Sequence, residues 1–500
     1  MPIAKIHSRA LLGIEAPAVT VEAHVAPGLP AFTLVGLPET AVRESRDRVR
    51  AAILSSGFEF PPRRLTVNLA PADLPKESAR FDLAIALAIL GATGQLPATA
   101  KKHLSRIECL GELSLDGSLR SIRGTLSAAR AARDAKRELL LPASARAEAE
   151  LIPNVDGRAL HHLAEVVSYL AGGSDPERLR HQPPLPIDPA IDGDLADVRG
   201  QPRAKRALAI AAAGGHNLLL IGPPGSGKSM LARRLAGILP PLTEQESLAV
   251  AEIATVTPAG FDPDDFGLRP FRSPHHTASA AALIGGGSQP GPGEISLAHH
   301  GTLFLDELPE FDRRVLEALR EPMEMGSVMI SRAARQATFP ADFQLVAAMN
   351  PSPQGSEIHS HAAQRYRAKV SGPLLDRIDI HLEVPRVPAA DLDRPAATGE
   401  DSATIRAQVI AARQRMLARQ GVVNARLDAR GLAEQVPLAA AERSMLNQAM
   451  EKLKLSGRAR ERILKLARSI ADYDDRPAID AAVLAEAIGY RNLDRLFAAS

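Results

Sequence analysis

The chain is poor in sulfur and aromatic side chains: it has one cysteine, Cys109, no tryptophan, and aromatic residues make up 3% of its 500 positions. A lone thiol excludes an internal disulfide framework and a thiolate-built zinc site, and it fits a reducing, cytoplasmic setting. Scarce aromatics exclude base stacking as the main way of holding a single strand. Neither charge dominates, with 60 Lys plus Arg against 58 Asp plus Glu and a net charge of +2. Any footprint for a polyanion must therefore be local. No stretch approaches the roughly 18 uncharged apolar residues of a membrane span. The opening MPIAKIHSRALLGIEAP lacks the apolar run and cleavage site of a secretory signal. Internal repeats and low-complexity tracts are also missing.

What is present is ordinary globular composition, 45% hydrophobic and 24% charged, in a chain too long for one core. Residues 1–170 mix strand runs (AVTVEAHV, FTLVGL, LTVNLAP) with a helix ending near Gly57 and a buried helix, FDLAIALAILGATG. GELSLDGSLRSI reads as a hairpin turned at Asp116-Gly117. This is an α+β domain. Residues 171–195 are proline-rich and form a linker. In residues 196–387, ALAIAAAGG, LLLIG, TLFLDEL and FQLVAAMN read as strands alternating with helices, the pattern of a mostly parallel α/β sheet. Residues 388–500 read as amphipathic helices only.

The chemistry concentrates in the α/β region. Gly222-Pro223-Pro224-Gly225-Ser226-Gly227-Lys228-Ser229 follows an apolar strand and precedes a helix. Glycines let backbone N–H groups close around phosphates, and the helix N-terminus adds positive potential. Lys228 suits the β- and γ-phosphates of ATP, and Ser229 suits Mg²⁺. Some eighty residues on, the strand LFL ends in Asp306 and Glu307. Asp306 suits Mg²⁺, and Glu307 suits activation of the attacking water. A third strand ends in Asn350, placed to orient that water. The run VMISR, a short turn and QATFP read as a hairpin with Arg332 and Arg335 at its tip, able to meet a phosphate backbone. His275-His276 and His299-His300 are adjacent pairs, and neighbours on a strand would point to opposite faces, so no zinc site is expected from them.

The order of phosphate loop, Asp-Glu strand, Asn strand, LLDRID and a helical tail with SGRARERILKLAR resembles AAA+ ATPases. More narrowly, VEAHVAPGLPAFTLVGLPETAVRESRDRVRAAI, RPFRSPHHTASAAALIGGGSQPGPGEISLAHHGTLFLDEL and ISRAARQATFPADFQLVAAMN resemble the magnesium-chelatase-like YifB/ComM family along nearly the whole chain. The resemblance implies a Lon-like front domain, an AAA+ core and a chelatase-type helical lid. It also implies a homohexameric, ATP- and Mg²⁺-dependent DNA motor that promotes branch migration during natural transformation, with single-stranded or branched DNA as its partner. By the same resemblance Arg377 is the finger arginine reaching the neighbouring subunit's γ-phosphate, the alternative being a local ion pair with Asp376 or Asp379. Arg458 matches the lid arginine, with Arg460 and Arg462 as rivals. The segment around 275–300 matches an insertion that projects into a central pore.

A Lon-type peptidase needs a Ser–Lys pair. Here Phe81 stands at the serine position and Leu126 near the lysine, with Ser78 close by, so the front domain reads as non-proteolytic. Many relatives carry a cysteine cluster after the Asn; here the chain reads NPSPQGSEIHSHAAQRYR, and zinc is not expected at His359 or His361. The alternative function is a chelatase-type remodelling ATPase that drives a partner subunit.

Overall fold

The computed structural model describes residues 3–36, 40–76, 79–183, 193–287, 290–332, 335–352, 360–388, 401–453 and 455–491. It divides into two compact units, residues 1–185 with 247–266, and residues 186–246 with 267–500.

The first unit is built on a seven-stranded mixed sheet. Strand Ala18–Ala26 is flanked by antiparallel partners, Ile3–Arg9 and Arg64–Ala70. Its sequence alternates, and Val19, Val21, Ala23 and Val25 all point into the core. Helix Asp82–Ala92 is apolar on every side and buried at every position, as a helix without a polar face must be. Phe81 and Leu126 are fully buried in apolar clusters, and neither can act as a nucleophile. Lys76 is also buried, its ammonium donating to the Pro71 carbonyl. Ser78 lies outside the described residues.

Residues 247–266 carry most of helix Glu244–Thr255 and then a loop. Ala251 and Phe266 pack with Leu126, Leu139, Leu141 and Ile152. Gly124 N–H donates to the Thr255 carbonyl at 3.1 Å, and Arg130 Nε lies 3.0 Å from Glu252 Oε1. A stretch lying between the phosphate loop and the Asp-Glu strand in sequence thus completes the first unit's core.

In the same unit, burial pushes the Glu148 carboxyl up to about 7, against a hydrogen bond from Thr125, and its Oε2 is buried without a partner. A folded-state pKa above the unfolded value of 4.5 means the folded form binds the proton more tightly. The ionised group therefore costs stability as pH rises from the unfolded value to about 7. Glu148→Gln is expected to raise the melting temperature of this unit at about pH 8 by about 2–4 °C, roughly 1 kcal/mol after allowing for partial solvent screening. It should leave the midpoint unchanged below about pH 4.5, where Glu148 is protonated in both states. Equal shifts at both pH values, read by calorimetry, would refute the burial argument.

The second unit holds a five-stranded parallel sheet in the order Phe271–Arg272, Thr302–Leu305, Gln344–Met349, Leu218–Ile221, Ile380–Glu383. The three central strands are buried throughout, which is why they read as unbroken apolar runs. One expected strand is a helix: ALAIAAAGG lies in Pro202–Gly214. Proline at its first position, five alanines in that run and Gly215 in the left-handed region (φ 73°) at its end favour a helix over a pleated strand. Helices Ser402–Gln420, Ala429–Gln435, Ala440–Leu453, Gly457–Tyr473 and Ala481–Gly489 follow. Val409, Met416, Leu466, Ile470 and Leu484 share one apolar core with Leu218, Leu220, Val346 and Ile380. Among the described residues, no helix is long and apolar enough to cross a membrane.

Candidate active site

Because the five strands are parallel, their carboxyl ends open along one edge of the sheet, where the polar residues that follow them gather. Ile221 leads into residues 222–229, Leu305 into Asp306 and Glu307, and Met349 into Asn350. A Cβ on Gly222 would come within 2.1 Å of the Val384 carbonyl oxygen, so only glycine fits beside the neighbouring strand. Gly225 and Gly227 sit at φ +77° and +91°, turning the loop back on itself at no steric cost.

Lys228 begins helix Lys228–Ile238, and its Nζ donates to the carbonyls of Gly222 (2.7 Å) and Pro223 (3.0 Å) and to Asn350 Oδ1 (3.1 Å). Ser229 Oγ donates to Asp306 Oδ2 at 2.6 Å. Burial lowers the Lys228 pKa, and the carboxylates of Asp306 and Glu307 oppose that shift. Glu307 occupies the left-handed region at φ 51°, ψ 46°, and its N–H donates to Asp306 Oδ1 at 2.9 Å. A non-glycine residue in that region carries about 1–3 kcal/mol of strain, so this bend after the strand is held by its surroundings.

Two residues in this neighbourhood were not assigned to the site from the sequence. His276 Nδ1 lies 3.5 Å from Glu307 Oε2. Tyr366, on helix His361–Arg367, makes a hydrogen bond with the Asn350 backbone. Burial, then Glu310, Glu307 and Asp306, push its hydroxyl up to about 12. The signal for His276 was its place after the edge strand 271–272, whose end also opens on this edge. The histidine pairs are not on strands: the rings of 275 and 276 lie 4.1 Å apart and those of 299 and 300 lie 3.8 Å apart. Each pair packs ring on ring instead of pointing to opposite faces. Among the described residues no cluster of three or more His, Cys, Asp or Glu could hold a metal ion, and His359 lies outside those residues.

Asn217, just before the phosphate-loop strand, was also missed. Its Oδ1 accepts from Leu345 N (2.8 Å), its N donates to Asp379 Oδ2 (3.0 Å) and its Nδ2 donates to the Arg377 carbonyl (3.2 Å). Main chain and side chain of this one residue thereby tie the start of its own strand to strand Gln344–Met349 and to the segment that enters strand Ile380–Glu383.

Arg377 follows helix Gly372–Leu375, and its side chain is only 7% exposed. It is paired, but with neither expected partner. It meets Glu324, and its Nη1 donates to the Pro373 carbonyl at 2.7 Å. Asp379 instead takes Arg462 Nη1 at 2.6 Å, and Asp376 lies 4.0 Å from Arg491. Arg462 is therefore engaged below the sheet's carboxyl edge, whereas Arg458 is exposed on the first turn of helix Gly457–Tyr473. Strands Ser327–Arg332 and Arg335–Pro340 form the expected hairpin, with Arg332 opposite Arg335. Their side chains lie outside the described residues.

Models of the magnesium chelatase subunit ChlI match residues 194–392, of subunit ChlI of Mg-chelatase residues 21–145, and of the ChlI C-terminal region residues 399–491. The chain is 49% identical to YifB of Salmonella typhimurium over 99% of its own length and 98% of that protein's. It is 46% identical to the competence protein ComM of Haemophilus influenzae over 99% of each. It belongs to the magnesium-chelatase-like YifB/ComM family. A 67 kDa magnesium-chelatase subunit of Heliobacterium mobile is 26% identical over 38% of this chain and 33% of its own.

As a member of the YifB/ComM family the chain carries an AAA+ domain, and its loop can be tested for the nucleotide and Mg²⁺ such domains use. Ser226 Oγ is buried in the loop without a hydrogen-bond partner. Lys228 spends its donors on loop carbonyls and Asn350, and Ser229 and Asp306 present a hydroxyl and a carboxylate oxygen side by side. These oxygens suit a hard divalent cation, and the loop suits a phosphate chain. The residues fit both.

Proposed function

We propose that this protein is an ATP-hydrolysing motor that works as a homohexamer on single-stranded or branched DNA, in recombination of incoming DNA. The observation that carries the ATPase reading is the gathering of Lys228, Ser229, Asp306, Glu307 and Asn350 at one edge of the parallel sheet. Residues 222–227 would wrap the phosphates with backbone N–H groups, and Lys228 would exchange its carbonyl partners for phosphate oxygens. Ser229 and Asp306 would hold Mg²⁺, which when bound supplies positive charge beside the β- and γ-phosphate oxygens. Glu307 would take the proton of the attacking water, which Asn350 orients. Arg377 from the adjacent subunit would meet the charge that develops on the transferred phosphoryl group, and Arg458 would sense the nucleotide from the lid.

The DNA reading is supported by full-length similarity to a relative named as a competence protein and by a hairpin whose tip carries Arg332 and Arg335 in register. A ring would repeat that pair around one channel, where phosphate contacts are sequence-independent. The second reading, a remodelling ATPase that drives a partner subunit, is favoured by the chelatase models that match most of the chain. Steady-state ATP turnover and assembly with and without forked DNA separate the two. Stimulation by DNA is expected; if neither turnover nor assembly responds, the DNA reading falls and the remodelling reading takes its place.

A further inference from the structure

Arg377 is held by Glu324, and Glu324 sits at the root of the hairpin. Helix Arg320–Met325 ends in Gly326 (φ +65°), and Ser327 begins the first arm. Gly326 N–H donates back to the Pro322 carbonyl and its own carbonyl accepts from Ala341 N, both at 2.8 Å. The short helix, the glycine and both arms are therefore tied at one point. Each arm has six residues paired in continuous register, from Ser327↔Pro340 to Arg332↔Arg335. A load on the tip of such a ribbon is passed to its root, and the residue three positions before the first arm is Glu324.

Around Arg377 the charges are unbalanced. Arg320 and Arg458 lie close enough to act on Arg377, which is held below its ordinary pKa by burial first, with Glu324 opposing and the two guanidiniums adding to the shift. Arg320 is itself paired with Glu317 at 2.7 Å. Three guanidiniums thus face two carboxylates, and Arg377 Nε is buried without a hydrogen-bond partner. Glu324 is 52% exposed while the guanidinium it holds is 7% exposed. The carboxylate is the half of the pair that solvent reaches, and an ion pair exposed on one side is readily exchanged.

We infer that Glu324 is a positioning residue for Arg377, latching the finger to its own subunit until the hairpin takes up a polyanion and carries the carboxylate away. Arg377 then turns to the triphosphate of the next subunit, with Arg320 and Arg458 beside it. This rests on the finger reading of Arg377 given above, and it makes hydrolysis at one interface depend on what the neighbouring hairpin holds. No covalent step is involved; one carboxylate is exchanged for phosphate oxygens as partner to the guanidinium.

The test uses the full chain with ATP and Mg²⁺, with and without a single-stranded oligonucleotide, comparing wild type, Glu324→Gln, Glu324→Asp and Arg377→Ala. Glu324→Gln should raise turnover without DNA about two- to fivefold, the range set by a half-exposed ion pair, and shrink the DNA stimulation by the same factor. It should also lower the ATP concentration needed for half-maximal assembly, read by sedimentation. Glu324→Asp, which keeps the charge, should stay near wild type. If Arg377→Ala abolishes turnover while Glu324→Gln matches wild type in all three readouts, the latch is wrong and the finger reading stands. If Arg377→Ala keeps full turnover, both fall. If DNA leaves wild type unchanged, the DNA reading falls, and the DNA-free rate and assembly of Glu324→Gln decide the latch.

Discussion

Glu307→Gln is expected to bind ATP as wild type does and to lose turnover by about 10²–10⁴-fold, the usual worth of a general base. The exchange keeps side-chain length and a carbonyl oxygen but removes the proton acceptor. Its effect on folding should be small, because the side chain is about half exposed and its contact with His276 Nδ1 is a loose one at 3.5 Å. The strained backbone at φ 51° is unchanged by the substitution, and Asp306 and Ser229 stay paired. Binding of a fluorescent ATP analogue and phosphate release should therefore separate cleanly. Normal turnover in this variant would remove Glu307 from the base role, and loss of binding would mean that its carboxylate supports the loop instead of the chemistry.

Arg377→Ala should cost about 10³-fold or more in turnover, the scale of an arginine that meets phosphoryl-transfer charge. A loss of that size would not follow from its contacts at home, a half-exposed pair with Glu324 and one backbone hydrogen bond, which concern stability. The decisive arrangement is a mixture. Lys228→Ala subunits lack a working phosphate loop but keep the finger, and Arg377→Ala subunits are the reverse. On the proposed reading, a mixed assembly contains interfaces that join an intact loop to an intact Arg377. Activity should reappear on mixing two inactive preparations, and failure to reappear would leave Arg377 a structural residue of its own subunit.

The candidate phosphate loop stood out in the sequence because its pattern is local: three glycines, a lysine and two serines within eight positions, preceded by a buried strand. Asp306, Glu307 and Asn350 could be assigned to the same site because each ends an apolar run, and parallel strands leave their ends on one edge. The same reasoning failed at ALAIAAAGG, where apolar content was taken for a strand although alanine and the capping Pro202 and Gly215 favour a helix. Periodicity cannot separate a buried helix from a buried strand in so short a run. The partner of Arg377 was sought one or two residues away, at Asp376 or Asp379, and lies fifty-three positions earlier on another element. Asn217 gave no signal at all, since its work is done entirely through strands distant in sequence. Pairings of this kind belong to the tertiary fold, and no local pattern encodes them.

Residues 247–266 have a consequence for the order in which the protein can be made. Ala251 and Phe266 belong to one of the first unit's apolar clusters, so that cluster is complete only after residue 266, and not residue 185, has left the ribosome. By the time those side chains emerge, the phosphate loop and its helix, through Ile238, have already been translated. The front of the chain must wait, partly assembled, with apolar surface on helix Thr125–Asp134 uncovered. Folding during synthesis is nested: the second unit is opened before the first is finished, and neither can be inherited or moved as a simple linear block.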